Sequence, residues 1–201
     1  MDRIIQCLQE KYHPRALIVY GSYVRGDQDE FSDFDCMIVV DAKEKNHDDS
    51  VIDGIQLDCF IFTADEVAAD DVDPFLTVYD GQIIFDDGIG AALKERVRKY
   101  VAEHTVIEES EKEFIASWVQ KTIRRMQKND DGGNYRAIAF LFESLTDYCF
   151  LHDIFYFGSK KTISLLKETD SHGYDLFHAA ITQKTNECIQ AWAEHVIARQ
   201  N

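Results

Sequence analysis

Asp33 and Asp35 stand two apart at the head of an apolar run, Phe34 to Val40. A third aspartate, Asp58, is the only charge in another β-prone run, Ile55 to Phe62. Side chains two apart on a strand share a face, so Asp33 and Asp35 project together at the strand's start. The residues after them are apolar at both parities, which marks a central strand covered on both faces. Two carboxylates held together repel unless a cation joins them. A lone carboxylate within a sheet is also costly. If the strand bearing Asp58 lies beside Phe34–Val40, all three acids reach one site. Magnesium takes one or two carboxylates and fills its octahedron with phosphate oxygens and waters. Three carboxylates suit a two-metal centre for in-line displacement at phosphorus.

The bland reading makes Asp33 a cap and Asp58 an ion-pair member. From Asn46 to Leu93 there is no Lys or Arg, so that stretch offers Asp58 no basic partner, which counts against the bland reading. Gly21-Ser22 follows directly on the run Ala16 to Tyr20. Glycine lets backbone amides approach a phosphate, and the serine hydroxyl adds a donor. A helix starting at Ser22 would favour anions at its N-terminus, and Arg25 adds a charged donor for a triphosphate.

The elements that must hold these residues are legible in outline. Asp2 to Tyr12 has helical spacing. Ala16–Tyr20, Phe34–Val40, Ile55–Phe62 and Gln82–Phe85 read as strands. Thr63 and Glu66 form a capping box for a short helix to Ala69, Asp73-Pro74 breaks the chain, and Ala91 to His104 is helical. Helical patterns then continue: Phe114, Ile115, Trp118, Val119, Thr122, Ile123 and Met126 form one buried face. Asn129 to Gly133 is a break, followed by helices over Tyr135–His152, from a cap at Ser159, and over Asp175–Ile181 and Thr185–Arg199. The fold class expected is an α/β (α+β) core with a small mixed sheet over residues 1–105, followed by an all-α helical bundle over residues 106–201.

Composition narrows the partners. The net charge of −16 repels polyanions, so nucleic acid is disfavoured as a partner, and polymerase or tRNA-end chemistry is the weakest reading. No apolar run approaches the ~20 residues of a membrane helix, and no signal peptide is evident. The five cysteines are scattered without a C-x-x-C pair, which suits reduced thiols in the cytoplasm. The seven histidines lack zinc-ligand spacing.

Gly21-Ser22, ten intervening residues, Asp33-x-Asp35 and a strand-borne Asp58 together resemble the nucleotidyltransferase superfamily that includes DNA polymerase beta and kanamycin nucleotidyltransferase. Arg25-Gly26 and Ser32 resemble its bacterial small-substrate and minimal branches. The resemblance is strong over residues 14–62 and weakens beyond. It implies a two-magnesium enzyme that transfers a nucleoside monophosphate, AMP from ATP or its counterpart from another nucleoside triphosphate, to a small-molecule hydroxyl. Asp33, Asp35 and Asp58 would be the metal ligands, with Asp58 also serving the chemistry. Gly21, Ser22 and Arg25 would bind the nucleotide. Antibiotic-modifying relatives point to an aminoglycoside or lincosamide acceptor, and a homodimer is allowed. The competing reading from the minimal branch is an antitoxin-like protein that modifies or binds a protein partner.

The helical half offers further candidates. Arg136, Phe140, Glu143 and Asp147 share one stripe of the Tyr135–His152 helix, and Glu143 and Asp147 are like charges one turn apart. Pairing with Arg136 and a role for Glu143 as general base for the acceptor hydroxyl weigh evenly here. Kanamycin-type enzymes are similar in carrying a glutamate base on a C-terminal-domain helix. Lys160 and Lys161 read as solvated residues of a helix start, Tyr148, Tyr156 and Phe157 as core aromatics, and Gly88-x-Gly90 as no dinucleotide motif.

Overall fold

The computed structural model describes residues 1–198. The chain divides into two compact units, Met1–Tyr100 and Val101 onward.

In the first unit, α1 (Asp2–Tyr12) leads to β1 (Ala16–Val19), the one-turn α2 (Ser22–Arg25) and β2 (Phe34–Val40). Two short strands, β3 (His47–Asp48) and β4 (Val51–Ile52), precede the long β5 (Ile55–Thr63). Then come α3 (Ala64–Ala68), a 3-10 helix (Asp73–Tyr79) and β6 (Gln82–Asp86), after which α4 (Ile89–His104) runs on into the second unit. The sheet is mixed, in the order β3-β5-β2-β1-β6, with β4 paired to β5. β2 and β5 are parallel, while β1 is antiparallel to both β2 and β6. The small mixed sheet expected from sequence is present.

Strand alternation sorts the side chains. Phe34, Cys36, Ile38 and Val40 of β2, with Leu57, Cys59 and Ile61 of β5, pack on Ile4 and Leu8 of α1. Asp35 and Asp58 have the opposite parity and fall on the other face. β2 is almost wholly buried, as its two-parity apolarity predicts. The capping box forms as expected, with the Thr63 side chain accepting from the Glu66 amide and the Glu66 carboxylate accepting from the Thr63 amide.

The second unit contains α5 (Glu109–Met126), α6 (Asp131–Leu151), α7 (Ser159–Thr169), α8 (Ser171–Gln183) and α9 (Asn186–Val196). Val119, Ile123 and Met126 of α5, Ala137, Phe140 and Tyr148 of α6 and Ile189, Trp192 and Val196 of α9 form its core. Several helix starts differ from expectation: α8 begins at Ser171, capped by Asp170, four residues before the expected Asp175, and α4 begins at Ile89 rather than Ala91. Asp130 caps α6 by accepting from the Gly133 amide, so the glycines fall inside the helix. Ser159 is the first residue of α7 rather than its cap; Gly158 occupies that position without a capping bond. The expected end of the last helix at Arg199 lies outside the described residues. No helix among the described residues is long and apolar enough to cross a membrane.

Candidate functional site

Asp35 is the second residue of β2, and Asp58 is its register partner on the parallel neighbour β5. In-register residues of adjacent strands point to the same face, so two half-buried carboxylates sit side by side. The residues after them, Cys36 and Cys59, are also register partners but lie on the α1 face. Their hydrogen bond and their burial push the Cys36 thiol up, out of the reactive range.

Gly21 closes one side of Asp35. Its φ is +72°, and a Cβ built on it would lie 2.0 Å from Asp35 Oδ2. Only a residue without a side chain lets that carboxylate rest against the turn. The same turn is tied to β2 by the Tyr20 amide, which donates to the Asp35 carbonyl at 3.1 Å. Ser22 follows as the first residue of α2 and is buried. Arg25 is exposed and already paired, its guanidinium reaching both oxygens of Asp27 at 3.1 and 3.2 Å. Asp33 lies in irregular backbone just ahead of β2 and is exposed.

Asp58 has a partner that sequence reading missed. His47 Nε2–H donates to Asp58 Oδ1 at 2.7 Å, which corrects the expectation that the Asn46–Leu93 stretch offers no basic partner. The same stretch lacks lysine and arginine, but it contains His47. The available clue was alternation at His47-Asp48: if Asp48 turns inward, His47 must turn outward. Asp48 is 1% exposed. Burial alone would raise its pKa, but hydrogen bonds from Lys11, Lys45, Tyr12 and Ser50 outweigh it and hold the carboxyl well below the usual range.

Glu143 lies in the second unit, exposed on α6. Among the described residues, Arg136 makes no ion pair with it, so of the two readings weighed for Glu143 the pairing is absent. One turn on, Asp147 is half-buried, and its Oδ2 is buried without a hydrogen-bond partner. Desolvation, with a smaller push from Glu143, raises its pKa to about 6. Tyr148 is a core aromatic that donates to Asp170 at 3.0 Å and stacks on Trp192. Lys161 lies over the Phe157 ring, 4.6 Å from its centre. Gly90 belongs to the start of α4, where its amide donates to Asp86.

Among the described residues, no three His, Cys, Asp or Glu side chains are grouped to hold a metal ion. Asp35 and Asp58 nevertheless form a hard-oxygen pair, and the glycine turn lets one of them lie against backbone. That donor set suits a divalent cation whose remaining positions go to phosphate oxygens and water.

The family model of the nucleotidyltransferase domain matches residues 1–126, and the chain belongs to that family. The match contains Gly21, Ser22, Asp33, Asp35 and Asp58. Among solved structures, the chain is similar to a nucleotidyltransferase-like protein from Exiguobacterium sibiricum 255-15. Their identity is 12%, the match covers 96% of this chain and 74% of that one, and the TM-score is 0.42. No curated protein matches.

Proposed function

We propose that this chain transfers a nucleoside monophosphate, AMP from ATP, to a hydroxyl of a small molecule and releases pyrophosphate. The observation that carries the reading is the register pair Asp35–Asp58 beside the Gly21 turn, within a chain of the nucleotidyltransferase family. Residues 1–105 would house the chemistry, with 106–201 as a helical domain. Asp33, Asp35 and Asp58 would hold magnesium, which when bound neutralises triphosphate charge and acidifies the acceptor hydroxyl. The Gly21-Ser22 turn receives the phosphates, and Arg25 reaches them by exchanging Asp27 for a phosphate oxygen. The acceptor oxygen bonds to the α-phosphorus as the bond from that phosphorus to pyrophosphate breaks. The hydroxyl proton goes to a general base, and Glu143, exposed on α6 with no ion-pair partner among the described residues, is the candidate for that role. A −16 surface suits a cationic acceptor of the aminoglycoside kind or a lincosamide.

The test is pyrophosphate release from ATP and magnesium across an acceptor library that includes aminoglycosides and lincosamides. Acceptor-dependent release that disappears in Asp35→Asn supports the reading. Release that survives this substitution sinks it. One observation favours the antitoxin-like alternative: Tyr135, Ile138 and Phe142 are exposed along α6 at helical spacing. A stable protein partner, recovered with no small-molecule transfer by the purified chain, would favour it.

A further inference from the structure

We propose that His47 is a positioning residue for the carboxylate site. By taking Oδ1 of Asp58 it fixes the orientation of that side chain and leaves Oδ2 as the oxygen available to a divalent cation shared with Asp35. The proposal rests on the reading of Asp35 and Asp58 as cation ligands.

The argument starts from a strand only two residues long. β3 pairs antiparallel with β5, setting His47 opposite Phe60 and Asp48 opposite Cys59. Asp48 turns toward the α1 face, where Lys11 and Lys45 donate to it at 2.7 and 2.8 Å and Tyr12 adds a third side-chain bond. This buried cluster anchors β3 to α1. Alternation then puts His47 on the other face, with Phe60 and Asp58. Its ring lies 4.8 Å, centre to centre, from the ring of Phe60. From there it reaches diagonally to Asp58, two residues before its register partner, a neighbour relation that long side chains span. Strand pairing, an aromatic neighbour and a 2.7 Å hydrogen bond therefore all restrain the imidazole. An aspartate on a strand otherwise has rotamer freedom. A carboxylate with one oxygen committed to a fixed donor presents the other in one direction. Outer partners of this kind orient metal ligands, and their loss costs 10–100-fold in metal affinity or activity.

The experiment uses the full chain with Mn²⁺ as a paramagnetic probe. Binding is titrated by electron paramagnetic resonance with and without ATP, alongside melting temperatures. His47→Ala is expected to weaken Mn²⁺ binding by about tenfold or more. His47→Gln, whose amide can donate to the same oxygen, should recover most of that loss. Asp58→Ala serves as the control that removes the ligand itself. Wild-type affinity in His47→Ala overturns the proposal. So does equal impairment in the Ala and Gln variants with a common drop in melting temperature, because that marks a structural role. A wild-type chain that binds no Mn²⁺ overturns both this proposal and the cation-ligand reading beneath it. A chain that binds Mn²⁺ with the expected variant pattern, yet transfers nothing to any acceptor, supports the positioning role while sinking only the proposed transfer reaction.

Discussion

Asp35 and Asp58 are direct register partners on the parallel strands β2 and β5, so their like charges share one face of the sheet. Opposed like charges on adjacent strands are destabilising, on a scale of ~0.2–1 kcal/mol per pair. His47 on Asp58 offsets part of that repulsion, and a cation shared by the pair would offset more. Asp35→Asn and Asp58→Asn should therefore each abolish or severely reduce nucleotide transfer. Their melting temperatures without metal should be unchanged or slightly raised. Calorimetry beside an activity assay checks this. A marked loss of stability in either variant would mean that the pair is a structural element.

Gly21 should tolerate no side chain. In Gly21→Ala the new methyl would overlap the Asp35 carboxylate at a backbone angle that L residues rarely adopt. The strain is expected to cost ~1–3 kcal/mol and to displace Asp35, so nucleotide binding and turnover fall together. Ser22→Ala should be milder in stability, weakening nucleotide affinity by the loss of one bond to a charged group, ~1.5–3 kcal/mol. Isothermal titration with a non-hydrolysable ATP analogue separates the two. Equal affinities in both variants and wild type would point to a different phosphate site.

The carboxylate pair was legible because its surroundings are unambiguous: two runs apolar enough to be central strands, each carrying a single aspartate. His47 was not legible for the opposite reason. β3 is too short to show a period, and its bond to Asp58 exists only because pairing with β5 sets the diagonal. The start of α6 was misread because Gly132-Gly133 weighs against a helix by propensity. Packing decides otherwise: a Cβ at Gly133 would lie 2.6 Å from the Arg125 carbonyl oxygen, so the close approach of α5 and α6 demands a glycine there. Absence of the Arg136–Glu143 pair could not be read from a helical wheel, which places residues on a stripe without saying which rotamers meet.

Asp48 makes the first unit acid-sensitive. Its folded pKa is depressed by its donors. Its contribution is therefore present above the unfolded carboxylate value of about 4 and is lost as pH falls below that toward the folded value. Asp48→Asn should lower stability at neutral pH by about 3 kcal/mol, the low end for breaking a buried pair because its lysines are half exposed. The variant should also flatten the decline in melting temperature between about pH 5 and pH 3. Parallel melting curves for wild type and variant across that window would contradict the assignment.

Glu143 and Asp147 should give opposite results although they are one turn apart on α6. Glu143 is exposed and has no ion-pair partner among the described residues, so Glu143→Gln removes little that stabilises the fold. If it is the general base, the rate should fall 10²–10⁴-fold at unchanged nucleotide affinity and an unchanged or slightly raised melting temperature. Asp147 has its pKa raised to about 6, mainly by desolvation. A raised acid is most compatible with the fold when protonated, so the stability it contributes is present below about pH 4 and lost as pH rises through 6. Asp147→Asn removes that charge and should stabilise the second unit by about 1–3 kcal/mol at pH 7, while abolishing the decline in melting temperature between pH 4 and pH 7. Glu143→Gln also relieves part of the repulsion on Asp147, so a small rise in stability near neutral pH is consistent with its role, whereas a fall is not. Turnover intact in Glu143→Gln but lost in Asp147→Asn would move the base one turn along the helix.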